Sequence, residues 1–222
     1  AVMLTREMGK PIAQSRGEVL KCAKSMRFYA EKAEEFLAPQ VLADPSKVNA
    51  SQAMAIWQPL GVVLAVMPWN YPLWQVIRFA GPALMAGNSG VLKHASNVPQ
   101  SALYLNDIFT RAGFPEGAFI TLMISASSVS SVIDDWRIKA VTLTGSEPAG
   151  RAVAERAGRQ IKPSVMELGG GLEVLGNNVN FTVGSRNLFD REAQRSPEFA
   201  GVIGGLQDPM GRNFYARVQF DL

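Results

Sequence analysis

Behind Pro11, the apolar residues Val19, Ala23, Met26, Ala30, Ala33 and Leu37 recur at spacings of three and four. That rhythm predicts a long amphipathic helix with the stripe as its buried face. After the turn-prone Asp44-Pro45-Ser46, the run Gly61-Val62-Val63-Leu64-Ala65-Val66-Met67 is too short for a domain helix and is bounded by prolines, so it predicts a buried strand. Helices are then expected over about 73–86, 99–112, 128–134 and 148–157, alternating with strands over about 90–93, 118–123, 139–144 and 164–168. Such alternation implies an α/β fold with a parallel sheet covered on both faces.

Beyond Gly170 the rhythm becomes two. Val179, Phe181 and Val183 alternate with Asn180, Thr182 and Gly184, and Phe214, Ala216, Val218, Phe220 and Leu222 alternate with Tyr215, Arg217, Gln219 and Asp221. Period two predicts strands with unlike faces, here a C-terminal two-stranded β tail, with Gly201, Gly204, Gly205, Asp208, Pro209 and Gly211 marking turns between them. Composition shifts at the same place. Residues 1–170 hold eight lysines and residues 171–222 none. Two segments of different origin, 1–170 and 171–222, are therefore expected.

Charge and cysteine usage narrow the function. The chain has 222 residues, and 22 Lys+Arg against 19 Asp+Glu leave +3, too little clustered basicity for a nucleic-acid binder. One cysteine, Cys22, and one histidine, His94, allow neither an internal disulfide nor a histidine-rich metal site, so no structural zinc is expected. No apolar run approaches the ~20 residues of a membrane-spanning helix. The start, AVMLTREMGK, lacks a signal-peptide layout, and without an initiator Met it is expected to be part of something longer.

Four strand ends carry candidate chemistry. Pro68-Trp69-Asn70-Tyr71-Pro72 follows the first buried strand, where open α/β sheets place their ligands, and its amide could donate to an oxyanion. A proline-braced loop with a buried Trp also fits the pentapeptide. Thr144-Gly145-Ser146-Glu147-Pro148-Ala149-Gly150 runs from a strand into a helix start, where backbone N–H groups and a hydroxyl can meet a phosphate; read alone it also fits a turn with a cap. Gly90-Val91-Leu92-Lys93-His94-Ala95-Ser96 offers a lysine and a serine to a ribose or its phosphate, and a solvated lysine beside a loop histidine is the plainer reading. Met166-Glu167-Leu168-Gly169-Gly170 ends the last predicted strand with a carboxylate that is either structural or a general base.

In this order and spacing the four motifs closely resemble the aldehyde dehydrogenase superfamily over residues 1–170, and, with LTREMGKP and RAGFPEG, its succinate-semialdehyde dehydrogenases. The resemblance implies a Rossmann-like cofactor domain, a small aldehyde substrate and a homo-oligomeric parent. It implies that Asn70 stabilises the thiohemiacetal oxyanion and that Glu167 is the general base for thioester hydrolysis. Trp69, Lys93, His94, Ala95, Ser96, Gly145, Ser146, Gly150 and Leu168 fall on cofactor-contacting positions. Many NAD-preferring relatives hold a Glu at the Ser96 position; a hydroxyl beside the Lys93 cation tolerates a 2′-phosphate, so NADP is expected over NAD.

The departures matter as much. The family's nucleophile is a cysteine thirty to thirty-five residues past the general base, and here that stretch reads Glu198-Phe199-Ala200-Gly201-Val202, with no cysteine after Glu167. The chain is therefore expected to be a truncated, catalytically incompetent dehydrogenase, with a vestigial nucleotide-binding module as the alternative. Asn187-Leu188-Phe189-Asp190 and the ending from Pro209 to Phe220 look like the last two strands of a TonB-dependent outer-membrane receptor, which makes the chain chimeric. An ordinary capping hairpin also fits. Without a signal peptide a cytoplasmic location and no membrane are expected, and the tail is expected not to pack against the first segment.

Overall fold

The computed structural model describes residues 1–174, 177–186 and 213–220, with side chains for residues 1–169. In chain order the elements are α1 (Val2–Met8), α2 (Ile12–Leu37), β1 (Gln40–Val41), β2 (Met54–Ala55), β3 (Val62–Met67), α3 (Trp74–Met85), β4 (Ser89–His94), α4 (Pro99–Arg111), β5 (Phe119–Thr121), α5 (Val129–Asp134), β6 (Ile138–Gly145), α6 (Glu147–Arg159), β7 (Ser164–Val174), β8 (Asn177–Arg186) and β9 (Asn213–Phe220). One sheet takes the order β5-β4-β3-β6-β7-β8-β9. Its first five strands are parallel, joined by helical crossovers, and β8 and β9 add antiparallel. The expected α/β fold is therefore the observed one. The predicted strands fall within a few residues of β3, β4, β5, β6 and β7, whereas α1 and the short β1–β2 pair escaped the reading because neither is long enough for a periodicity to register.

The strand pleat divides the core in two. Leu64, Val141 and Leu143 face α5 and α6, where Ile133, Val153 and Ala157 meet them. Ala65, Met67 and Leu92 face the other way, onto Val76, Ala80, Leu105 and Phe109 of α3 and α4. Each of these side chains is under one-tenth exposed, and burying a leucine of this kind stabilises the fold by ~1.5–3 kcal/mol.

Helix α2 differs from its prediction. Its buried residues are Ser15, Glu18 and Cys22 rather than the apolar stripe, and Val19 is 37% exposed. The buried face is rotated because Glu18 reaches the start of α3, whose own N-cap residue, Leu73, has no capping side chain.

The tail also differs. Strand β7 does not stop near Leu168 but continues to Val174, and β8 pairs with it from Glu167↔Gly184 to Val174↔Asn177. Both predicted tail strands form, as β8 and β9, yet they extend the sheet instead of standing apart from it. An exposed β7 edge has unpaired backbone groups, and any strand of suitable length satisfies them. The Phe189 and Pro209-to-Gly211 readings lie outside the described residues, as do the side chains of Phe181, Phe214 and Phe220. No helix among the described residues is long and apolar enough to cross a membrane.

Candidate functional site

The parallel strands end together at one edge of the sheet, and the candidate residues sit there by register. Lys93 pairs with Val66, Val66 with Leu143 and Leu143 with Met166, which puts His94 beside Met67 and Glu167 beside Thr144 one step further along. Asn70 follows three residues past the end of β3. Strands β4 and β6 are not neighbours; β3 runs between them, so the Lys93 and Gly145 ends approach across an intervening strand.

Successive residues on a strand face opposite ways, and this splits the site. Val165 and Glu167 face a cavity of about 360 Å³ bounded by Met67, Gln75, Arg78, Phe79 and Thr144. Met166 and Leu168 face α6. Lys93, two residues beyond Val91, shares this α6 side. The Glu167 carboxylate and the Lys93 ammonium thus lie on different faces of one sheet edge.

On the cavity side, Glu167 Oε2 is ion-paired with Arg78 Nη2, and both side chains are more than one-third exposed. The same guanidinium nitrogen donates to Thr144 Oγ1 at 3.2 Å and to Gln75 Oε1 at 2.9 Å. Arg78 was missed in the sequence. A cation one turn beyond Gln75 on the face of α3 that follows Pro-Trp-Asn was the available signal, but only the strand order shows that this face meets Glu167. Asn70 is exposed, and its Oδ1 accepts the Tyr71 N–H at 3.0 Å, which leaves the Nδ2 protons for an incoming oxygen. Trp69 is half exposed, so the loop is not built around a buried Trp.

On the α6 side, Lys93 is nine-tenths buried, with no carboxylate within ion-pairing distance among the described residues, and burial pushes its ammonium down in pKa. Ser96 is exposed and Ala95 partly so. The helix α6 opens at Ser146, which makes no side-chain capping bond, behind Gly145. Its first turn has Pro148, without an N–H, so Glu147 and Ala149 supply the donors, and neither has an acceptor among the described residues.

Two of the residues expected at the cofactor also serve the packing. Gly150 gives its N–H to Ser146 O at 2.9 Å, and a Cβ there would come within 2.2 Å of Leu168 Cδ2. Its N–H is spent within the helix, and its missing side chain seats α6 on Leu168. His94 is buried; its Nδ1 accepts the Ala95 N–H at 2.9 Å, so Nε2 carries the proton and donates to Pro72 O at 2.9 Å. With both nitrogens occupied, the ring ties the end of β4 to the loop before α3.

Cys22 lies in the apolar core with Leu73 and Val76, where burial, then the Glu18 charge, pushes its thiol up to about 12. Such a thiol is not a nucleophile near neutrality. Among the described residues no group of three His, Cys, Asp or Glu side chains is arranged to hold a metal.

Comparison with known proteins gives this geometry its context. Residues 1–175 match the aldehyde dehydrogenase family. The succinate-semialdehyde dehydrogenase [NADP(+)] of Mycobacterium avium is 62% identical over 170 residues, 77% of this chain and 36% of that protein. The equivalent protein 1 of Mycobacterium tuberculosis is 61% identical, with 37% of its length covered. The chain thus spans about a third of the length of these relatives. Among solved structures, succinic semialdehyde dehydrogenase from Streptococcus pyogenes, in complex with NADP+, is 42% identical and superposes with a TM-score of 0.71 over 76% of this chain and 36% of that one. Succinate-semialdehyde dehydrogenase from Burkholderia pseudomallei is 31% identical, with a TM-score of 0.70 over 76% of this chain and 35% of that one. With the motifs, the five parallel strands and the family match in agreement over the same residues, the chain belongs to the aldehyde dehydrogenase family.

Proposed function

We propose that this chain is the nucleotide-binding part of an NADP-dependent aldehyde dehydrogenase of the succinate-semialdehyde type, and that by itself it binds nucleotide without oxidising aldehyde. The observation that carries the reading is the α6 side of the sheet edge. A helix start whose Glu147 and Ala149 N–H groups find no acceptor among the described residues, and a buried Lys93 with no carboxylate partner among them, lie on one face. Helix N-termini favour anions, and a buried cation is costly until an anion meets it. Glu147 and Ala149 N–H, Ser146 and Gly145 suit the pyrophosphate, and Lys93 with Ser96 suits the ribose end and its 2′-phosphate. When bound, the nucleotide supplies a hydride acceptor. NAD would bind by the same donors but gain nothing from Lys93.

On the other face, the Asn70 amide is set to donate to a polarised carbonyl oxygen, a contact worth ~3–4 kcal/mol in a working enzyme. Glu167 is held by Arg78. A carboxylate on the substrate, such as that of a semialdehyde acid, would compete for Arg78 and leave Glu167 able to take a proton from water. What this chain lacks is a thiolate, since Cys22 is its sole cysteine and is buried. Calorimetry tests the binding: NADP should bind more tightly than NAD, and Ser96→Glu should reverse the order. Equal affinities in the unmodified protein would refute the Ser96 argument. Incubation with succinate semialdehyde should yield no NADPH, and turnover abolished by Cys22→Ala would overturn the claim of inactivity.

The reading of β8 and β9 as an addition from another source is in keeping with the extent of the family match, residues 1–175, and its receptor-like character rests on the sequence pattern alone. In this reading the chain is cytoplasmic and chimeric, with a homo-oligomeric parent.

A further inference from the structure

We propose that Glu18 is a positioning residue for Asn70: its buried carboxylate, balanced by Lys10, anchors the start of α3 and so fixes the loop that carries the amide. The proposal rests on the role given to Asn70 above. Tyr71 O takes the Gln75 N–H at 3.1 Å, but the stretch from Tyr71 to Leu73 offers no acceptor to the Leu73 and Trp74 N–H groups, and a helix start so deprived frays or shifts. Glu18, from the middle of the first half of α2, supplies the acceptor across fifty-five residues of sequence: its Oε1 takes the Leu73 N–H at 2.8 Å and the Trp74 N–H at 2.9 Å. Its other oxygen pairs with Lys10 Nζ at 2.5 Å, with side-chain exposures of 5% for the lysine and 0% for the glutamate.

The same small cluster reaches every residue between Asn70 and the helix. Lys10 Nζ stands 3.6 Å from the centre of the Tyr71 ring, and His94 Nε2 donates to Pro72 O at 2.9 Å. Tyr71, Pro72, Leu73 and Trp74 are therefore held through the ring, the carbonyl and two amides in turn. Asn70 Oδ1 accepts from Tyr71 N, so the plane of its amide is referred to that fixed backbone. A buried ion pair needed only for the fold could have turned both carboxylate oxygens to Lys10. Here one oxygen is reserved for α3, from a helix face that lies off the apolar stripe of α2.

Hydrogen exchange followed by NMR on the full chain is the test, and it needs no nucleotide. The Leu73 and Trp74 amides of the unmodified protein should exchange as slowly as those of Val76 and Ile77, whereas Ala149 in the open first turn of α6 should exchange fast. If Leu73 and Trp74 exchange as fast as Ala149, the proposal is wrong. Glu18→Ala should accelerate those two amides roughly tenfold, the scale of one lost helix cap, and move the Asn70 side-chain amide resonances while those of β5 stay in place. Glu18→Gln, which keeps an acceptor oxygen, should recover most of the protection. Unmoved Asn70 resonances in a folded Glu18→Ala protein would overturn the assignment. Should Glu18→Ala not fold, the exchange pattern of the unmodified protein and of Glu18→Gln decides. Failure to bind NADP would sink the functional reading and leave these measurements untouched.

Discussion

Helices α3 and α6 both start at the carboxyl edge of the parallel sheet, yet their first turns meet opposite fates. In α3 the leading N–H groups are closed by Glu18 from α2. The start of α4 is closed in the same way by Glu7 from α1, which accepts from Gln100 N, Ser101 N and Ser101 Oγ. In α6 no carboxylate arrives from elsewhere among the described residues, and the Glu147 side chain pairs with Arg151 instead. A helix start attracts an anion in every case, through its unsatisfied donors and its dipole. Where the chain provides the anion the start becomes a joint between helices. Where none of the described residues provides it, as in α6, the leading N–H groups keep no partner in the fold.

The comparison breaks most visibly on the closed side. Lys10→Met leaves Glu18 charged and buried without its cation and should lower unfolding stability by about 3–5 kcal/mol, read from denaturant midpoints at unchanged slope. A loss well under 1 kcal/mol would mean that water reaches the pair. On the open side, Gly150→Val drives a side chain into Leu168 and should cost about 1–3 kcal/mol, offset by a few tenths from better helix propensity. Such a variant should also tilt the α6 start and weaken NADP binding in calorimetry, whereas Lys10→Met should act on stability.

The link between the two loops is sensitive to pH. Burial, outweighing the Pro72 carbonyl and the Glu7 charge, holds the His94 pKa below its ordinary 6.5. The native imidazole then binds fewer protons than the unfolded one, so its contribution is complete above about pH 6.5 and is lost as pH falls through the folded value. Melting temperature should drop over that window, and His94→Gln should flatten the drop. The smallest effect is expected from Glu147→Ser. Removing an exposed charge from the open α6 start should change stability by less than about 0.5 kcal/mol and tighten NADP binding roughly threefold, as expected for one less repulsive charge near a phosphate. An unchanged affinity would place the phosphate elsewhere.

How much of this was legible beforehand varies by residue. Asn70 and Glu167 could be singled out because a strand end followed by a proline-bounded loop, or by two glycines, advertises itself in the order of residues. The bonds of His94 to Pro72 and the seat of Gly150 on Leu168 were not foreseen, because which partners a ring nitrogen or an absent side chain will meet depends on packing. Arg78, Glu7 and Glu18 were not singled out at all. On a helix, a carboxylate or a guanidinium reads as a solvated charge until another element is shown to lie against it.

What the sequence by itself determined is the longer helices and the five core strands of residues 1–170, their alternation and hence the parallel sheet, since apolar periodicity and turn chemistry act over a few residues. Only the tertiary structure decided which helix starts are closed and which is open, that Glu167 and Leu168 serve opposite faces, and that β8 docks on β7. Those outcomes depend on contacts between groups tens of residues apart, where strand order and register set the distances and the free energy of a buried charge depends on its neighbours in space.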